Sequence, residues 1–169
     1  LNPKYISTAD SGNFVGYLYT LKTFLIKNNA EEFLIELVTK LIVDTNFTVL
    51  YNDKKRLFSI GFNIDENKQT DSYYDLLASE ARQASLITNK KKDVDVKHWN
   101  GLSRTLTSLN KYKGLISWSG TAFEYLMPNV NIKRYEGSLL DESCRFMIMS
   151  QKEYAKKLRY PLGDIRSSI

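Results

Sequence analysis

The sequence predicts a mainly α fold, an array of helices joined by long loops, with one or two short β-hairpins. Three observations predict it. Apolar residues recur at helical spacing in five or six windows of the 169-residue chain. Serine followed three residues later by aspartate opens three of those windows, a helix-start pattern. The segments between windows are long and carry aromatic residues, and their β-prone runs are short. Helices connected in this way point to an α-helical toroid, or part of one, over a tight bundle. The whole chain, 1–169, reads as one domain.

Taken in order, Leu1 to Thr8 is an extended entry and Ser7-x-x-Asp10 opens a helix. Phe14, Leu18, Leu21 and Leu25 continue it to about Ile26, and Lys27-Asn28-Asn29 ends it. A second helix runs from about Ala30 to Val43, with Leu34, Leu37, Val38, Leu41 and Ile42 on one side. Phe47 to Leu50 and Leu57 to Phe62 are β-prone and flank the polar turn Tyr51 to Arg56, which predicts a hairpin. Ile64 to Thr70 reads as a polar loop.

Ser72 to Ile87, SYYDLLASEARQASLI, reads as one helix with Asp75 as its box partner. At a 3.6-residue period Tyr73, Leu76, Leu77, Ala84 and Ile87 share a face. Glu80 falls in the middle of that face, and Asp75 and Arg82 point the other way. Thr88 to Lys97 is a charged loop, and His98-Trp99 begins a short helical piece. A turn over Asn110 to Gly114 leads into the strand-like Leu115-Ile116. A short helix over Thr121 to Met127 is stopped by Pro128. Ser138-x-x-Asp141 opens a last long helix to about Leu158, with Leu140, Cys144, Met147, Gln151 and Tyr154 along one face.

Apolar and charged fractions of 43% and 25% are those of an ordinary globular protein. No apolar run reaches the roughly 20 residues that span a bilayer, and no signal peptide opens the chain. The single Cys144 forms no internal disulfide and has no metal-type cysteine partners, which fits a reducing, cytoplasmic setting. The net charge of +5 comes from scattered lysines rather than a clustered basic face, so nucleic acid is not expected as a partner. The 11 tyrosines and 2 tryptophans suit either core packing or clefts for flat ligands and sugar rings.

A carboxylate in an apolar stripe is costly, so Glu80 must be paired, bind a ligand or hold its proton. It reads either as a general acid of the kind glycosidic cleavage needs or as a buried glutamate tied to an arginine or a backbone group. Glu124 lies in Ser117-Trp118-Ser119-Gly120-Thr121-Ala122-Phe123-Glu124. Thr121-x-x-Glu124 is itself a capping box, whereas the small residues around Trp118 let a ligand approach ring and backbone. Asp10 either caps the first helix or contacts a ligand. His98 lacks partners at ligand spacing, so no zinc or other metal site is expected. No nucleophile-elbow, P-loop or dinucleotide glycine pattern is present, and no cofactor is expected.

Six stretches together resemble a known family. They are YISTADSGNFVGYL, LFSIGFN, SYYDLLASEAR, HWNGLSR, SWSGTAFEYLMP and SLLDESCR. In this order they are similar to the glycoamylase-like domain of cyclic β-1,2-glucan synthases, from about Pro3 to Gly163. The resemblance implies an (α/α)6 toroid, of which this chain supplies part, and β-1,2-glucan as substrate. It implies retaining transglycosylation that closes linear chains into rings, or hydrolysis in close relatives. The full-length relatives are inner-membrane proteins that also polymerise UDP-glucose.

Carried over, Glu80 matches one catalytic carboxylate, as acid/base or nucleophile. In a glucan-processing cleft of this kind, Asp10, Trp118, Ser119 and Glu124 are expected to line the sugar subsites. The family's second carboxylate falls in a P-W-G-I-S-E-S segment, which here reads Pro161-Leu162-Gly163-Asp164-Ile165-Arg166-Ser167. Arg166 stands in place of that glutamate and Leu162 in place of the tryptophan, while Asp164 lies two residues away. This departure implies a truncated or frame-shifted piece or a degenerate copy, and it leaves as the alternative a non-catalytic helical module for protein interaction or for glycan binding without turnover. A partial toroid also exposes apolar helix faces, which predicts self-association.

Overall fold

The computed structural model describes residues 4–78 and 80–159. Helices dominate, as expected. They are α1 (Thr8–Lys27), α2 (Glu32–Asp44), α3 (Ala81–Lys91), α4 (His98–Gly101), α5 (Ala122–Leu126) and α6 (Leu139–Leu158). The chain groups into two compact units, Leu1–Tyr74 with Glu80–Leu102, and Asp75–Ser79 with Ser103–Ile169.

In the first unit, the Ser7 side chain caps α1 by accepting from the Asp10 backbone N–H at 3.2 Å. The start of α1 is also tied to a neighbouring segment. Thr8 donates from its backbone to the Ile60 carbonyl at 3.0 Å and from its hydroxyl to the Ser59 carbonyl at 2.6 Å. α1 packs against both α2 and α3. Gly12 makes the second contact possible, because a Cβ there would lie 2.6 Å from the Ala84 Cβ and 2.8 Å from the Ala84 backbone. Val15, Leu18, Val38, Ile42, Phe47, Phe58, Ala84 and Ile87 belong to the core that results.

The β content exceeds the expectation. β1 (Tyr5–Ser7), β4 (Gly61–Asn63) and β5 (Lys68–Gln69) form an antiparallel sheet in the order β1-β4-β5. The extended entry is therefore an edge strand, and the segment read as a polar loop contains β5. Its turn is built by the Asn63 side chain, which accepts from the backbone of Asp65 at 3.0 Å and Glu66 at 3.2 Å. The expected hairpin forms, but between β2 (Tyr51–Asn52) and β3 (Leu57–Phe58). Thr48–Leu50 is a 3-10 turn instead of a strand.

The largest correction falls on Ser72 to Ile87. The helix α3 starts at Ala81, because the backbone before it is already committed to extended pairing. Ile60 donates to the Ser72 carbonyl at 2.9 Å, Tyr73 bridges Ser59, and Tyr74 donates to the Phe58 carbonyl at 2.8 Å. Asp75 is not a box partner of Ser72, since its side chain accepts from the Leu76 backbone at 2.8 Å. Arg82 does not face outward either. α3 is buried on nearly every side, and Arg82 is buried with Ala81, Gln83, Ala84 and Ser85.

In the second unit, β6 (Leu106–Leu109) and β7 (Tyr112–Leu115) form a hairpin around Asn110-Lys111, with Asn110 at φ 55°. α6 packs against β7 and α5. Its Ser138 cap accepts from the Asp141 backbone at 3.2 Å, as the Ser-x-x-Asp pattern predicts. Gly114 admits Phe146, whose Cβ would lie 2.6 Å from a Cβ added at Gly114. Cys144 is a buried thiol that donates to the Tyr125 carbonyl at 3.3 Å. Pro128 does not stop the chain's helical course abruptly, because α5 runs on into a 3-10 turn over Met127–Val130.

Among the described residues, no helix is long and apolar enough to cross a membrane. α1 and α2 leave an apolar strip uncovered, made of Phe14, Tyr17, Leu21 and Phe24 on α1 and Phe33, Leu37 and Leu41 on α2.

Candidate functional site

The loop between β7 and α5 is built around one carboxylate. Glu124 is buried, and donors converge on it from the turn that precedes its helix. The Ser117 hydroxyl donates to Oε2 at 2.7 Å, and the Ser119 N–H reaches Oε1 at 3.1 Å and Oε2 at 3.0 Å. The Thr121 N–H adds a bond of 3.3 Å and completes the capping-box half that the sequence predicts. Ser117 also accepts from Gly120 N–H at 3.0 Å, and Gly120 takes φ 72°, where glycine is favoured. Charge-assisted bonds of this kind hold a loop in one shape. Glu124 is occupied by its own loop, so its effect on any ligand runs through Ser119 and Trp118.

What the loop presents is Trp118. The residue is 51% exposed although its neighbour Ser117 is buried. Trp118 and Ser119 line a cavity of about 510 Å³ together with Tyr125, Phe146 and Tyr154. A volume in this range suits a small ligand, with apolar surface for contact area and a few polar groups for orientation. Burial raises the pKa of the Tyr125 hydroxyl above its ordinary value. That hydroxyl donates to the Leu115 carbonyl at 2.8 Å, so Tyr125 forms a rigid wall.

Asp10 and Glu80 lie in the first unit. Glu80 immediately precedes α3, half-buried, with its carbonyl accepting from Gln83 N–H at 2.8 Å. It is not set in the middle of a helical apolar face. A helix N-terminus favours a negative charge, which gives this carboxylate a different physical basis from the one expected. Asp10 is exposed in the first turn of α1. The two carboxylates share a neighbour, Tyr74. Burial first, then the charges of Glu80, Tyr5 and Asp10, push the Tyr74 hydroxyl up to about 12. Residues 70 positions apart thus act on one side chain.

The five predicted residues fall into two groups, Asp10 and Glu80, whose charges both act on the Tyr74 hydroxyl, and Trp118 with Ser119 on the Glu124-braced loop. The two groups belong to different units. Arg166, with Leu162 and Asp164, lies outside the described residues. Sequence reasoning missed Tyr74, although it stands in the quoted SYYDLLASEAR stretch. It also assigned Tyr154 to a packing face, whereas the residue is 41% exposed and lines the cavity. His98 is structural. It is buried, with Nδ1 2.8 Å from the Arg56 carbonyl and Nε2 2.9 Å from the Ser85 hydroxyl. Among the described residues, no group of three or more His, Cys, Asp and Glu side chains is placed to hold a metal.

Comparison with known proteins places the chain beside a relative. The chain is a partial domain related to the cyclic β-(1,2)-glucan synthases. It is 36% identical over 118 residues, 70% of its length, to the cyclic beta-(1,2)-glucan synthase NdvB of Rhizobium meliloti (strain 1021). It spans 4% of the length of that relative. No family model matches the chain.

Proposed function

We propose that this chain is part of a β-1,2-glucan-processing domain and binds β-1,2-linked glucan through the Trp118 loop. The observation that carries the reading is Trp118 itself, a large ring held out into a cavity by a loop whose only buried carboxylate is spent on keeping it there. An indole face covers the apolar face of a sugar ring, and Ser119 supplies a hydroxyl contact. Glu124 acts as a positioning residue. In the complete domain Glu80 is the catalytic carboxylate, as acid/base or nucleophile, and Asp10 holds sugar hydroxyls beside it. The relation to a cyclic β-(1,2)-glucan synthase supports the substrate class, and the reaction, transglycosylation or hydrolysis, rests on the family that the six quoted stretches resemble. The six quoted stretches support an (α/α)6 array for the whole domain.

Two-carboxylate glycoside chemistry does not run on one carboxylate and an arginine. Arg166 at the second position therefore favours binding without turnover by this chain. The test is product formation from linear β-1,2-glucan, measured for the unmodified chain and for Arg166→Glu. The unmodified chain should yield no cyclic or shortened product. Product from the unmodified chain would overturn the assignment of Arg166 as a lost carboxylate.

We also propose that the uncovered strip on α1 and α2 pairs with a second copy of the chain. In a hairpin of antiparallel helices, Phe24, Leu21 and Tyr17 fall in register with Phe33, Leu37 and Leu41. Each of these residues is exposed on the described chain, between 41% for Leu41 and 67% for Phe33, and a large apolar patch seldom stays exposed.

A further inference from the structure

The cavity that Trp118 lines has a second wall on α6. Ser150, Glu153, Tyr154 and Lys157 all face it. Their spacing of three, four and seven residues places them on one stripe of the helix. Two features separate this stripe from an ordinary solvated helix face. Tyr154 keeps 41% of its surface exposed while lining a cavity whose other contributors include Phe146 and Trp118. It is thus a second partly exposed ring lining the same space. The charged groups beside it are one carboxylate and one ammonium, a full acceptor and a full donor four residues apart.

We propose that this α6 stripe is the second half of the sugar site, with Tyr154 and Trp118 as its two ring platforms and Glu153 and Lys157 as its hydroxyl contacts. The inference rests on the glucan reading and extends it to the chemical class of ligand. One charge of each sign leaves the wall without net charge. A phosphate or carboxylate ligand would offset its attraction to Lys157 against the Glu153 carboxylate, and a cation would offset its attraction to Glu153 against Lys157. A neutral polyhydroxylated ring satisfies both, since each hydroxyl both donates and accepts. The apolar floor at Phe146 takes the ring's carbon faces. Unsubstituted glucan is therefore the fitting ligand, and glucan bearing anionic substituents binds more weakly.

The experiment is calorimetric titration of the full chain with linear, unsubstituted β-1,2-glucan, for wild type, Trp118→Ala, Tyr154→Ala, Tyr154→Phe and the double variant Glu153→Gln/Lys157→Met. Thermal unfolding of each variant reports on folding. Tyr154→Ala and the double variant should each weaken binding at least about tenfold with an unchanged unfolding transition, and Tyr154→Phe should retain it. If wild type and Tyr154→Ala bind alike while Trp118→Ala does not bind, the α6 assignment falls and the glucan reading stands. If wild type itself shows no binding, both fall. Should Tyr154→Ala lose its unfolding transition, the Tyr154→Phe and double variants decide, and wild-type affinity in the double variant would overturn the proposal.

Discussion

Tyr74 and His98 show how single side chains report on their surroundings. Tyr74 is pushed up to about 12 by burial and by the charges of Glu80, Tyr5 and Asp10. Between its ordinary value near 10 and that value, an unfolded chain loses a proton that the folded chain keeps. Its contribution is therefore complete below pH 10 and is lost as pH rises through the folded value. Tyrosinate absorbance, with Tyr74→Phe to identify the late-titrating group, should show one hydroxyl ionising near the top of the alkaline range. Glu80→Gln should move that ionisation downward, and an unmoved titration would separate Glu80 from Tyr74. His98 behaves in the opposite sense. Burial lowers its pKa, and the hydrogen bond to the Arg56 carbonyl raises it in part. Stability from the neutral ring is complete above pH 6.5 and declines as pH falls. As the one histidine, it gives a single imidazole signal by NMR, which should titrate below the ordinary value. Titration at or above that value would contradict the buried, doubly hydrogen-bonded ring.

Elements were legible where their signals are local. α1 and α6 start where Ser7 and Ser138 predict, because a cap is made within three residues of the helix it starts. The Thr121 and Glu124 box is local for the same reason, and so was readable. The start of α3 was not. Residues 72–74 pair with residues 58–60, and no periodicity in SYYDLLASEAR records a partner fourteen positions away. β5 was hidden similarly, since its pairing with β4 depends on a turn made by the Asn63 side chain. The approach of α1 to α3 yields a prediction. Gly12→Ala should gain about 1 kcal/mol of helix propensity. It then forces the Ala84 backbone away from contacts of 2.8 Å, so the net effect is a loss on the order of 1–2 kcal/mol in chemical denaturation. Gly101→Ala on α4 is the control, because its Cβ would meet the Arg56 carbonyl at an ordinary 3.5 Å. Equal stability of the two variants would argue against close packing at Gly12.

At the scale of the whole molecule, the apolar strip on α1 and α2 and the Trp118 cavity make separate demands. The strip predicts reversible self-association in sedimentation, weakened by Phe24→Glu or Leu37→Glu. A clean monomer at high concentration would refute a second copy as its occupant. The cavity carries the functional reading. Its braced loop was visible in SWSGTAFEYLMP, but its second wall was not, because the apolar face read on the last helix, Leu140 to Tyr154, leaves out Glu153 and Lys157. The most direct measurement is the heat of mixing the intact chain with linear β-1,2-glucan, alongside Trp118→Ala. Saturable binding by the chain and its loss in the variant are the predicted result. No heat at millimolar sugar, or equal affinity in the variant, would contradict it.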